Sequence, residues 1–110
     1  MTSAWGGVDP EIELTMPSGE VMANARIQLA RHVDGRWMWA TEYFAGNQGS
    51  GYWVAAKWNN FADCIEAARG NAITEIRDQI SGMENSASKL IASWLVSLDH
   101  PTPQQRELFA

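Results

Sequence analysis

Few residues in this chain have the types and spacing that chemistry needs. His32 and His100 are the only histidines and stand far apart. No cysteine or carboxylate cluster has metal-ligand spacing around either of them. Cys64 is the single cysteine, so no internal disulfide framework is expected. A thiolate nucleophile needs a base and positive surroundings, and Asp63 and Glu66 supply negative ones, so a buried, inert thiol inside a helix is expected instead. The run Gly46-Asn47-Gln48-Gly49-Ser50-Gly51 is glycine-rich but lacks the Lys-Ser/Thr of a phosphate cradle. It also leads toward a strand instead of a helix. Glu11, Glu13 and Glu20 read as a solvated strand edge, and no carboxylate pair has a context for acid–base work. The expectation is a protein that is not an enzyme and uses neither cofactor nor metal.

Two features suit binding. The first is the trio Trp37, Trp39 and Tyr43, alternating along one stretch. The second is the ending Gln104-Gln105-Arg106-Glu107-Leu108-Phe109-Ala110 behind Pro101-Thr102-Pro103. Its Leu108 and Phe109 each offer ~1.5–3 kcal/mol if fully enclosed by a partner. The flanking prolines lower the ordering cost of an extended peptide. The bland alternative folds Phe109 back beside the helix that carries Trp94.

Composition bounds the rest. At 110 residues with 45% hydrophobic content, the chain is one domain with a real core, neither disordered nor membrane-spanning. No apolar run approaches ~18 residues. The first residues lack the basic and apolar regions of a signal peptide, so a cytoplasmic location is expected. A formal charge of −5 argues against broad phosphate-backbone binding. It permits docking on a basic surface, or simply confers solubility.

The elements that must position these residues follow from periodicity. Residues 1–10 read as a flexible arm, 11–99 as a single domain and 100–110 as a tail. Glu11–Met16 alternates as a short strand, and Pro17–Glu20 is a turn. Val21–Val33 and Arg36–Phe44 read as two strands joined by Asp34-Gly35, a two-residue hairpin signal. A glycine loop leads to a fourth strand, Tyr52–Trp58. Asn60 is a candidate N-cap for a helix over Phe61–Ile80, ending at Gly82. Gly70 inside it suggests a close packing contact. Asn85 or Ser86 caps a second helix carrying Leu90, Ile91, Trp94, Leu95 and Leu98, which stops before Pro101. The fold class is α+β: an antiparallel meander of about four strands, then two helices packed on one face.

A two-residue hairpin loop puts His32 opposite Trp37, Ala30 opposite Trp39 and Arg26 opposite Tyr43. Ala25, Ile27, Leu29, Met38, Ala40 and Phe44 then face the helices. Trp37, Trp39 and Tyr43 share the other face with Arg26, Gln28 and His32. Such a face suits a protein-binding hot spot, base stacking, or a symmetric homodimer, unless another segment covers it.

Gln105-Arg106-Glu107-Leu108-Phe109 resembles the bacterial sliding-clamp-binding motif. Gln105, Leu108 and Phe109 match its anchors, Glu107 is compatible, and Arg106 replaces the preferred leucine. The body, with Trp37-x-Trp39-Ala40, the glycine loop, Trp94-Leu95 and the Leu-Phe ending, is similar to small accessory proteins of bacterial phages and mobile elements. That resemblance implies a non-catalytic protein that docks on a bacterial host protein, either the sliding clamp or a host defence complex. Small acidic proteins of such origin include anti-CRISPR inhibitors, which gives an alternative: an acidic surface blocking a nucleic-acid-binding site. A second alternative is a single-stranded nucleic-acid binder using Trp37, Trp39 and Tyr43.

Overall fold

The computed structural model describes residues 7–17 and 23–99. Its architecture is α+β: an antiparallel sheet followed by two helices. The strands are β1 (Ile12–Thr15), β2 (Ala23–Arg31), β3 (Trp37–Ala45), β4 (Gln48–Gly51) and β5 (Phe61–Ala62). The helices are α1 (Ile65–Ile80) and α2 (Ser86–Asp99). Strand order is β1-β2-β3-β4, and β5 pairs with the outer edge of β3 beyond the end of β4.

Both helices lie on one face of the sheet. α1 contributes Ala68, Ala72, Ile73, Ile76 and Ile80, and α2 contributes Ala87, Ile91, Leu95 and Leu98. The three- and four-residue spacings keep each set on one stripe. They close over Ala25, Ile27 and Leu29 of β2, with Ile12 and Leu14 of β1 at the margin. Ile27, Leu29, Ile73, Ile76, Ile91 and Leu95 are among the largest fully buried side chains. Each is worth ~1.5–3 kcal/mol of burial.

The β2–β3 hairpin differs from the two-residue expectation. His32 N–H donates to the Arg36 carbonyl at 2.8 Å, and Gly35 N–H donates to the His32 carbonyl at 3.0 Å. The loop therefore has three residues, Val33-Asp34-Gly35. Only Gly35 has positive φ, at 91°, while Asp34 does not. A two-residue type I′ turn would need positive φ at both. Asp34 instead accepts from Arg36 N–H at 3.0 Å and Arg36 Nε at 2.8 Å, closing the loop with its side chain. Those bonds hold its carboxyl below the usual carboxylate range.

That one extra loop residue shifts the register by one and flips β3 relative to β2. The pairs are Arg31–Trp37, Leu29–Trp39, Ile27–Thr41 and Ala25–Tyr43. Trp37, Trp39 and Tyr43 therefore share the helix-covered face. Met38 and Ala40, expected beneath α1, lie on the opposite face in a second small core with Ala30 and Val54.

Three further expectations change. Tyr52–Trp58 is not a strand: after β4 the chain makes an irregular excursion with a 3₁₀ turn at Ala56–Trp58. Ala55-Ala56-Lys57 has low strand preference, and Asn59 turns the chain at φ 59°. The first helix starts four residues late. Phe61 and Ala62 pair with Met38 and Trp37 instead, and Cys64 takes the N-cap position without a side-chain cap bond. Cys64 is exposed, not a buried helical thiol.

Gly82 follows α1 at φ 89°, where Met83 N–H bonds the Ile80 carbonyl at 3.0 Å. Asn85 Oδ1 accepts from Ser88 N–H at 2.7 Å and so caps α2. Nothing stands within 4 Å of a Cβ built on Gly70, so that glycine makes no close contact. None of the described helices is long and apolar enough to cross a membrane.

Candidate functional site

The site grows from the face of the sheet that the helices leave open. There the excursion after β4 folds back over the sheet. Gln28, almost fully buried at 1% exposure, is its anchor. Its Oε1 accepts from Val54 N–H at 3.1 Å and its Nε2 donates to Glu13 Oε2 at 2.9 Å. Both ends of the amide are thus satisfied, as a buried polar group requires. Val54 packs on Ala30, Met38 and Ala40, and its carbonyl accepts from Val8 N–H at 2.9 Å. The described part of the N-terminal segment is therefore docked on this face.

Two tryptophans frame the excursion. Trp53 Nε1 donates to the Val8 carbonyl at 2.7 Å, and Trp58 Nε1 donates to the Trp53 carbonyl at 3.0 Å. Their N–H groups are held inward while 37% of Trp53 and 46% of Trp58 remain exposed. Tyr52 meets the Trp58 ring edge-on, with centroids 5.3 Å apart. Arg26 lies 5.3 Å from the Trp53 ring centre and pairs with Glu42 Oε2 at 2.8 Å. Lys57 Nζ sits 4.9 Å over the Trp58 ring. Together these side chains line an open groove of about 480 Å³. A second hollow of about 590 Å³, lined by Asn24, Phe44, Asn47 and Gly49 among others, shares Glu42 and Gly51 with it. The two form one trough along the β3–β4 hairpin.

On the helix side of β3 a polar cluster ties three elements together. Thr41 Oγ1 and Tyr52 OH both donate to Glu75 Oε2 of α1, the second at 2.7 Å. Asn60 Nδ2 reaches both the Tyr52 hydroxyl at 2.7 Å and the Trp39 carbonyl at 3.2 Å. Burial and the Glu75 carboxylate hold the Tyr52 phenol far above the usual phenol range. Both hydroxyls spend their protons on one carboxylate oxygen, so the cluster acts as a clamp between β3, the excursion and α1.

The aromatic trio expected to form an open platform does not form one. Tyr43 is buried at 8% exposure, and Trp37 and Trp39 pack against the helix-side core. The indole N–H of Trp39 is buried without a hydrogen-bond partner among the described residues. The guanidinium of Arg31 caps the Trp37 ring at 4.9 Å. His32 does not sit beside Trp37 on a strand face; its ring meets Phe61 edge-on at 5.2 Å. Gln105, Leu108, Phe109 and His100 lie outside the described residues. Among the described residues, no three His, Cys, Asp or Glu side chains converge as metal ligands.

Glu42, Trp53 and Trp58 are the residues that sequence reasoning passed over. The signal was present: Tyr52-Trp53 and Trp58 bracket the four residues Val54-Ala55-Ala56-Lys57, three of them small or flexible, which suits a loop pinned by aromatics better than a strand. No family model, no curated protein and no solved structure matches the chain.

Proposed function

We propose that this chain is a non-catalytic protein-binding module that docks on a bacterial protein through the Trp53–Trp58 groove, with the segment Gln105–Phe109 as a second, linear contact. The observation that carries the reading is the pair of half-exposed tryptophans beside Arg26 on the helix-free face. Tryptophan, tyrosine and arginine dominate the energetics of protein interfaces. Here their polar edges are already fixed by Val8, Trp53 and Glu42, so little side-chain entropy is lost on binding. The clamp-like tail and the likeness to accessory proteins of phages and mobile elements support a bacterial partner.

Two measurements separate the contacts. Purified sliding clamp should retain the wild-type chain and lose the Leu108→Ala/Phe109→Ala variant; equal retention rules out the clamp assignment. Truncating a central interface aromatic costs about 2 kcal/mol or more. Trp58→Ala should therefore weaken the identified partner by about thirtyfold in a calorimetric titration. An unchanged affinity removes the groove from the interface. No comparable observation favours stacking of single-stranded nucleic acid on Trp37, Trp39 and Tyr43, because Tyr43 is buried and both indoles pack on the core.

A further inference from the structure

Beside the groove, β4 offers an unusual edge. Ala45 and Gln48 bracket the two-residue turn Gly46-Asn47, and Tyr52 N–H donates to the Thr41 carbonyl at 3.2 Å. In an antiparallel ladder, hydrogen-bonded pairs alternate with non-bonded ones. Thr41–Tyr52 is a bonded pair, so Tyr43–Ser50 and Ala45–Gln48 are too. The N–H and C=O groups of Gly49 and Gly51 therefore point away from β3, toward the outer edge. Among the described residues nothing pairs with that edge, and all four residues of β4 are exposed. The strand has no lysine, proline or bulge; of the usual devices that keep an edge from pairing it has only its short length.

The two glycines also clear the way for a neighbour's side chains. Phe44 lies over Gly49, where a Cβ would come within 2.8 Å of its ring. Glu42 lies over Gly51, where a Cβ would come within 2.7 Å of its Cγ. β4 itself therefore raises no side chain on the groove face between Phe44 and Trp53. A strand laid about 4.8 Å outside β4 would carry its own alternate side chains over this floor.

We infer that the outer edge of β4 receives an extended segment of a partner polypeptide as an added strand, bonded to the main chain of Gly49 and Gly51, with apolar side chains at alternate positions directed to Phe44 and Trp53. The outward main-chain groups specify an extended backbone, and Phe44 and Trp53, on either side of the Glu42–Arg26 pair, offer the apolar contacts its side chains take. A second copy of this chain fits less well. Self-pairing of so short an edge buries little of the roughly 800 Å² per partner that stable interfaces use. This inference rests on the groove being a protein-binding site and names how the ligand is held.

The test pans a displayed library of random peptides on the immobilised full chain, then titrates a selected synthetic peptide by amide NMR. The expected peptides alternate apolar and polar residues. Their binding slows exchange of the Gly49 and Gly51 amides about tenfold or more, as burial in a ladder does. Sarcosine at Gly51, installed by chemical ligation, deletes the outward N–H without adding a Cβ; it should weaken the peptide about tenfold with other amide shifts unchanged. Peptides that need Trp58 yet leave both glycine amides and the sarcosine variant unaffected overturn strand addition while leaving the groove reading intact. Selection of no peptide that depends on β4 also overturns it, as does a peptide-free dimer in which these amides are already protected.

Discussion

Gly70 sits inside α1 with open space where a Cβ would stand. Glycine there loses backbone entropy on folding and gains no contact in return. Gly70→Ala should raise stability by about 0.5–1 kcal/mol, seen as a higher urea midpoint with an unchanged slope. Tyr52 makes the opposite point, since its hydroxyl binds the Glu75 carboxylate. A hydrogen bond to a charged group contributes about 1.5–3 kcal/mol, and Tyr52→Phe should lose a good part of it at neutral pH. The folded-state pKa of Tyr52 is raised, by burial first and then by Glu75. Its stabilisation is thus fully present below the unfolded value of about 10 and is lost as pH climbs from there toward the folded value. The stability gap between wild type and Tyr52→Phe should narrow above about pH 10. A gap that stays constant through that range would contradict the assigned environment.

At the scale of elements, the β2–β3 hairpin decides which aromatics are free. Gly35 supplies the one positive φ of its loop. Gly35→Ala should cost about 1 kcal/mol, read from chemical denaturation. Asn85→Ala should cost about 0.5–2 kcal/mol by removing the α2 cap. The cap at Asn85, the stop at Gly82 and the apolar stripes of both helices, apart from the exposed Leu90 and the strand residue Phe61, were legible because each depends on local spacing. The order of strands followed by helices likewise gave the α+β class. The hairpin register was not legible: Asp-Gly serves a two-residue turn and the last two positions of a three-residue loop equally well. Local sequence does not choose between them, and the loop closed by Arg36 bonding back to Asp34 puts Trp37, Trp39 and Tyr43 on the helix-covered face. The start of α1 was misplaced for a related reason. Asn60 has a cap's chemistry, but its amide serves Trp39 and Tyr52, and Phe61 is drawn to the open edge of β3.

The whole molecule is a sheet with two unlike coverings. Helices seal one face with the main core, and a single excursion pinned by Gln28, Val8 and Asn60 covers part of the other. Among the described residues, the trough from Phe44 to Trp58 and the edge of β4 beside it are left open. That trough is assembled by tertiary structure, and the aromatic trio that stands out in the sequence lies elsewhere. The account's central claim is that a protein docks in this trough. It is tested most directly by placing a photoreactive benzoylphenylalanine at Trp58 and, as control, at Lys89 on the exposed side of α2, then irradiating in a bacterial lysate. The account predicts a discrete protein adduct from position 58 that is competed away by unlabelled wild-type chain and is missing from position 89. Adducts of equal yield and pattern from both positions, or an adduct at 58 that wild-type chain does not compete, would contradict it.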